Sequence, residues 1–175
     1  MGISKELKGA IDEQIKNELY SANLYVAMAI HFDTQSLDGF ANWLYVQAKE
    51  EEFHAMKFAR YLLNSGEKPE MMEIPKPKTE FSSAKELFEY ALEHEKKVTA
   101  MINNLVDIAE KDKDRASFQF LQWYIDEQVE EEASFGKVLD LVTQAKEDHL
   151  FLVQQQLSRG APPNELGGEL QNTGK

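Results

Sequence analysis

Apolar residues recur at alternating spacings of three and four along four long stretches of the chain. This spacing places them on one face of an α-helix. The limits of the stretches predict helices over residues 4–33, 38–65, 83–111 and 114–146. Each predicted helix is far longer than the average globular helix of about 11–12 residues. The pattern therefore predicts an all-α fold built from four long helices.

The segments between the predicted helices indicate how the helices are connected. Short polar turns join the first helix to the second and the third to the fourth. The connection between the second and third, "EKPEMMEIPKPKTEF" at residues 67–81, contains three prolines and is expected to be extended. Ser83 and Glu86 fit a capping box at the start of the third helix. These features predict a four-helix bundle with a long crossover between helices 2 and 3.

The end of the chain has a different character. Leu150, Val153 and Leu157 form a narrow apolar stripe that predicts a short fifth helix, although no residue clearly marks a break before it. Residues 161–175 are rich in glycine, proline and polar residues. We expect one domain over residues 1–160, followed by a mobile C-terminal tail at 161–175.

The core-facing stripe of each long helix is apolar except near its middle, where it holds a glutamate. These residues are Glu18, Glu51, Glu95 and Glu131. Helices of equal length bring their midpoints to one level, so the four carboxylates are expected to converge inside the bundle. Burying unpaired carboxylates is costly, and no lysine or arginine lies on the stripes. The alternative is a misphased stripe that leaves some of them partly exposed.

A bound cation would resolve the cost of the four glutamates. Glu51 and His54 are three residues apart, so both side chains leave the same helix face and can share one metal ion. Carboxylate oxygens with an imidazole suit iron or manganese, and zinc is also compatible. The pattern therefore predicts a metal centre inside the bundle.

Composition narrows the function further. The formal net charge is −12, which argues against nucleic acid and anionic membranes as partners. There are no cysteines, which excludes disulfides and thiolate metal sites. No apolar run approaches the ~20 residues of a membrane span. No signal peptide is visible after "MGISKELKG", so we expect a cytoplasmic protein.

Together, Glu18, "EEFH" at 51–54, Glu95 and "QVEE" at 128–131 resemble the prokaryotic non-haem ferritins of the ferritin-like di-iron superfamily. The likeness covers about residues 4–160. It implies iron storage and detoxification, with Fe(II) oxidised by O2 or H2O2 at a ferroxidase centre inside the bundle. The ferric mineral would be stored inside a hollow homo-oligomeric shell of roughly 24 chains.

The resemblance assigns the two iron ions of the centre to buried side chains of all four helices. The first ion would be bound by Glu18, Glu51 and His54. Glu51 would bridge to the second ion, which Glu95 and Glu131 would complete. All five would therefore serve both as metal ligands and as catalytic residues.

Further residues are implied beside the centre. Gln128 would lie near the second ion, and Tyr25 would lie next to the centre in a redox role, with plain core packing as the alternative. A third iron site is implied at one flank of the bundle, with the ligands Glu50, Glu127 and Glu130.

The chain departs from the di-iron pattern in which two helices each carry Glu-x-x-His. Ser134 stands where the second histidine would be, so the second ion is expected to bind more weakly. Glu52 stands where a bacterioferritin would carry its haem-ligating methionine, so no haem is expected. His94 is interpreted as a surface residue, and Trp43 as a contact to a partner subunit.

Three alternatives remain open from the sequence. One is a di-iron oxidase or peroxidase of the same fold without storage. Another is an interaction module whose acidic bundle binds no metal. A smaller shell of about 12 chains is the third, and it fits less well because its metal ligands lie between subunits.

Overall fold

A computed structural model describes residues 2–157, and within that range it contains only helices, turns and extended connections. The all-α prediction is confirmed, and so is the short fifth helix. The predicted C-terminal tail, 161–175, lies outside the described residues. The helices are α1 (Lys5–Asp33), α2 (Asp38–Asn64), α3 (Ala84–Lys111), α4 (Arg115–Ala145), a short 3₁₀ turn (Glu147–His149) and α5 (Leu150–Leu157).

Side-chain oxygens cap the starts of three long helices. Ser4 Oγ accepts from the backbone N–H of Leu7 at 3.1 Å, and the Asp114 carboxylate caps α4 in the same way. Ser83 Oγ accepts from Glu86 N–H at 3.0 Å, as the capping box predicts. The reciprocal bond differs, because the Glu86 carboxylate accepts from Ser82 N–H at 2.8 Å.

The sequence marks the end of α2 with a glycine but does not mark the end of α4. Gly66 follows α2 with a φ of 83°, and Glu67 N–H donates to Leu62 O at 2.9 Å, which stops the helix in a Schellman motif. Lys146 follows α4 with a φ of 56°, a conformation that a lysine rarely adopts. The chain therefore turns at Lys146 although no glycine or proline marks the turn.

The bundle consists of two helix hairpins, α1 with α2 and α3 with α4. Asn17 contacts Met101 and Ser21 contacts His94, so α1 and α3 run antiparallel. Because α2 is antiparallel to α1, α2 and α3 are parallel, and the crossover must run the length of the bundle. The buried carboxylate of Asp12 accepts from Glu70 N–H at 2.9 Å and so ties the crossover to α1.

The apolar core is divided into two clusters by a polar layer at mid-height. One cluster contains the stacked rings of Phe32 and Phe40, with centroids 4.7 Å apart. The other contains Phe58 and Tyr124, stacked at 3.9 Å. Trp43 packs its ring against Phe135 of the same chain, at 4.9 Å. Packing within the chain therefore accounts for the position of Trp43 without the predicted contact to a partner subunit.

None of the helices in the described part of the chain combines the length and apolar character needed to cross a lipid bilayer.

Candidate metal centre

Four glutamates, one from each long helix, occupy the polar layer between the two core clusters. Glu18 of α1, Glu51 of α2, Glu95 of α3 and Glu131 of α4 are all buried, and the most exposed of them has 6% of its surface accessible. The four glutamates are therefore buried near the helix midpoints, as the sequence predicts. The misphased alternative, with some of them exposed, is wrong.

A first group of ligand atoms comes from α1 and α2. Glu18, Glu51 and His54 each offer one donor atom, and these atoms lie within 4.8 Å of one another. His54 Nδ1 is 3.4 Å from Glu51 Oε2, as expected for residues one turn apart. The Tyr124 hydroxyl donates to the backbone carbonyl of His54 at 2.8 Å and so links α4 to this part of α2.

A second group shares the same imidazole. His54, Glu127 and Glu131 also offer donor atoms that lie within 4.8 Å of one another. His54 Nε2 lies 3.9 Å from Glu127 Oε2, whereas Nδ1 faces Glu51. The two ring nitrogens therefore face different carboxylates. The sequence suggested a role for His54 at the first ion only, and the structure adds a contact toward α4.

Glu95 is held by hydrogen-bond donors from two other helices. The Tyr25 hydroxyl donates to Glu95 Oε1. The side-chain amide of Gln128 donates to Glu95 Oε2 at 3.1 Å. Gln128 and Tyr25, the two residues predicted beside the centre, therefore both donate to Glu95. Each carboxylate oxygen accepts a hydrogen bond, which fixes the orientation of the carboxylate.

Burial controls the protonation of the four glutamates. Burial raises the pKa of Glu51 to about 7 and the pKa of Glu95 to about 8. Burial, and then repulsion from neighbouring carboxylates, raises the pKa of Glu18 and of Glu131 well above the ordinary range. The pKa of His54 is lowered by burial, which favours the neutral imidazole that binds metals. Without a cation, the centre therefore retains protons at neutral pH.

The donor set fits divalent cations. Glu18 Oε2 is buried and has no hydrogen-bond partner among residues 2–157. A buried acceptor left in this state is costly, and a cation beside it would remove the cost. Anionic oxygens with one imidazole are the ligands that iron in its ferrous and ferric states accepts. Each of the two groups of donor atoms can therefore hold a cation, and Glu95 belongs to neither group.

Of the three predicted ligands of the third site, Glu50 and Glu127 lie near His54 and Glu130 does not join them. Glu50 and Glu127 are half-buried, and the charge of each acts on His54. Repulsion from Glu127 adds to burial in raising the pKa of Glu50. Glu130, in contrast, is exposed, and no contact described in residues 2–157 joins it to the other carboxylates.

Two polar contacts beside the centre are not predicted from the sequence. Gln14 is buried and donates from Nε2 to Glu18 Oε1 at 2.9 Å. Its position one turn before Glu18 was the available signal. The surface interpretation of His94 is wrong, because its half-buried ring bonds Ser21 Oγ at 2.8 Å. The same ring lies edge-on to Tyr25, with centroids 6.2 Å apart.

Comparisons with known proteins agree with this architecture. Residues 8–145 match the family described as Ferritin-like domain. A bacterial non-heme ferritin of Staphylococcus saprophyticus is 46% identical over 158 residues, which covers 89% of this chain and 95% of that protein. One from Staphylococcus aureus is 41% identical over 157 residues, with the same two coverages.

Solved structures give the same result. A novel open pore ferritin from the archaeon Archaeoglobus fulgidus superposes with a TM-score of 0.87 at 40% identity, covering 89% of this chain and 98% of the other. A humanized archaeal ferritin superposes with a TM-score of 0.87 at 42% identity, covering 89% and 97%.

Proposed function

The chain belongs to the ferritin family, and from this premise we propose that it oxidises Fe(II) at the carboxylate centre inside its own bundle. As a ferritin it serves iron storage. The observation that carries the proposal is the set of four buried glutamates that share the polar layer with His54. One of them, Glu18, has a buried oxygen without a hydrogen-bond partner among the described residues. Fe(II) is the substrate that these groups would bind.

Each side chain has a specific task in the proposal. Glu18, Glu51 and His54 bind the first ferrous ion, and Glu51 bridges to the second. Glu95 and Glu131 complete the second set of ligands. Because α4 offers Ser134 where a second histidine would stand, the second ion is held by oxygens and exchanges more readily.

The chemistry is a two-electron oxidation. Each ferrous ion gives one electron to dioxygen, and two protons complete hydrogen peroxide, so that two Fe(II), one O2 and two protons give two Fe(III) and one H2O2. Anionic oxygen ligands stabilise the ferric state over the ferrous state, which favours the reaction. The protons held by Glu51 and Glu95 leave as the ions bind, because ligands must be deprotonated.

The neighbours of the centre support it. Gln128 and Tyr25 orient Glu95 by their hydrogen bonds, and these bonds place both side chains beside the centre. We place the third ion at Glu50 and Glu127, with Glu130 recruited from the surface. Haem has no part in the proposal, since Glu52 is exposed on α2 and is not a methionine.

Storage requires a cavity that one bundle of 20.1 kDa does not have. We propose that the chain forms a closed homo-oligomeric shell of roughly 24 copies around the mineral. On α5, Phe151 is 61% exposed and Leu152 is 56% exposed in the isolated chain. Apolar side chains exposed to this extent suit burial between subunits.

Aerobic loading of the apoprotein with Fe(II), followed by size exclusion with mass and iron detected together, tests this proposal. Many tens of irons per chain in a particle of roughly half a megadalton are expected for a storage shell. Two or three irons per chain in a small oligomer would instead indicate a di-iron oxidase without storage. Absence of bound iron would contradict the metal centre itself.

A further inference from the structure

A groove of about 440 Å³ lies between α1 and α3. We call it the α1/α3 groove. Its walls include Ala10 from α1 and Ala100 and Met101 from α3, and its two buried lining residues are Gln14 and Leu105. The function proposed above does not use this groove.

The α1/α3 groove reaches the metal centre through one side chain. Gln14 lines the groove, and its Nε2 donates to Glu18 Oε1 at 2.9 Å. Glu18 is a ligand of the first ion in the proposed centre, and its second oxygen has no hydrogen-bond partner in the described part of the chain. A molecule that displaced the Gln14 amide from the groove side would therefore arrive at the ligand itself.

Further along, α1 and α3 are joined by two contacts. Asn17 Nδ2 donates to Met101 Sδ at 3.2 Å, and Ser21 Oγ and His94 Nε2 share a hydrogen bond of 2.8 Å. These contacts connect the two helices beside Glu18 and Glu95. Access along this face is therefore expected at Gln14, on the side of Ala10 and Leu105.

The two sides of the bundle differ in the charges they carry. Glu13 and Lys97, one of each sign, line the groove. The opposite flank, between α2 and α4, presents the half-buried carboxylates Glu50 and Glu127 instead. A ferrous ion concentrates where the charge is negative, whereas a neutral apolar gas enters apolar cavities without regard to charge.

We propose that dioxygen reaches the centre through the α1/α3 groove, while ferrous ions enter from the acidic flank between α2 and α4. Gln14 is the positioning residue at the inner end of the groove, where it separates the gas from Glu18. This inference rests on the ferroxidase function proposed above. It adds that the two substrates approach from opposite sides of the bundle.

Graded filling of the groove tests the inference. Ala100 is exposed on α3, so Ala100→Val, Ala100→Leu and Ala100→Phe narrow the groove without disturbing the core. At saturating Fe(II), we expect KM for O2 to rise in that order, by roughly threefold or more for Ala100→Phe, while kcat at saturating O2 is unchanged. Ala10→Val narrows the opposite wall and should act in the same direction.

Ala116→Phe is the matched control, because Ala116 is an exposed helical alanine on α4 that does not line the groove. It should leave KM for O2 unchanged. Anaerobic Co(II) titration should give the same stoichiometry for every variant, and size exclusion the same particle size. A wild-type protein that binds no Co(II) and oxidises no Fe(II) would refute the ferroxidase function rather than the route.

Xenon supplies a readout independent of turnover. Xenon is an apolar gas that occupies apolar cavities. Xenon-pressurised crystals of the wild-type protein should show the atom between Ala100 and Leu105, and crystals of Ala100→Phe should not. If wild-type crystals hold no xenon there and KM for O2 is the same in Ala100→Phe as in wild type, the inference is overturned.

Discussion

Gln128 donates a hydrogen bond of 3.1 Å from its side-chain amide to Oε2 of Glu95, across the interface between α4 and α3. Burial raises the pKa of Glu95, whereas this hydrogen bond lowers it, and the resulting pKa is about 8. Gln128→Leu removes the donor, so the pKa of Glu95 should rise further. We expect weaker binding of the second ion, with a larger loss at about pH 6.5 than at about pH 8.5.

Anaerobic Co(II) titration followed by visible absorption measures that change. Gln122→Leu is the control, since Gln122 lies on the same helix and bonds only the carbonyl of Phe118 in the described contacts. Equal Co(II) affinities for Gln128→Leu and wild type at both pH values would show that Gln128 does not support the ligand.

His54 belongs to both groups of ligand atoms, whereas Glu131 belongs to one. His54→Ala should therefore weaken the binding of the first ion directly, by about tenfold or more, and that of the second ion indirectly, because the imidazole faces Glu127. Glu131→Ala should weaken the binding of the second ion alone. Initial rates of Fe(II) oxidation should fall in both variants, and Co(II) stoichiometry should distinguish them. Glu52→Ala, at an exposed position on α2, is the control. Wild-type rates in His54→Ala and Glu131→Ala would contradict the ligand assignment.

The apoprotein should lose stability as pH rises. The pKa of Glu95 is raised from 4.5 to about 8 in the folded chain, so the folded state binds this proton more tightly than the unfolded state. The resulting stabilisation is complete below the unfolded value and disappears as pH rises through about 8. Glu51, with a pKa of about 7, acts in the same direction at lower pH.

Calorimetry of the metal-free protein between about pH 5 and pH 9 tests this dependence. Glu95→Gln cannot ionise, so the fall of Tm with pH should be shallower than in wild type. The control Glu93→Gln, at an exposed position of α3, should retain the wild-type slope. A Tm that increases steadily over this range in the wild type would refute the prediction.

Gly39 is required by the close approach of α5 to the start of α2. A Cβ at this position would lie 2.6 Å from the carbonyl oxygen of Gln154. Gly39 N–H also donates to Gln154 Oε1 at 3.1 Å. Gly39→Ala should therefore displace α5 and lower Tm.

Gly136 is the matched control for Gly39, because nothing lies within 4 Å of a Cβ built there, inside α4. Gly136→Ala should stabilise the protein by up to about 1 kcal/mol, the usual difference in helix propensity. Thermal unfolding compares the two variants. If Gly39→Ala is as stable as wild type, α5 does not dock against α2 as described.

Much of the centre was predictable because its geometry follows from helix periodicity. Periodicity places Glu18, Glu51, Glu95 and Glu131 on the inward faces of their helices. Their positions near the middles of helices of nearly equal length bring them to one level. The double role of His54 was not predictable. Spacing indicates the face from which a side chain leaves, but the direction of each ring nitrogen depends on packing against α4.

Other features depended on contacts that a single helix does not contain. The Glu86 carboxylate accepts hydrogen bonds from Ser82 and from Lys78, whose Nζ lies 2.6 Å away. Glu86 therefore bonds residues outside the Ser83–Glu86 pair that defines the capping box. The turn at Lys146 also depends on a contact with another helix. Glu147 accepts from the backbone N–H of Ala84 at 3.0 Å, which anchors the following segment to the start of α3.

The two-hairpin construction also has a kinetic consequence. Contacts within each hairpin are close in sequence and are expected to form early, whereas those between hairpins must wait for closure of the long crossover. One hairpin carries Glu18, Glu51 and His54, and the other carries Glu95 and Glu131. Docking of the hairpins is then the step that assembles the complete set of ligands. A metal ion present during refolding should accelerate that step or trap its product, and the order of addition of metal and chain should determine the yield of native protein.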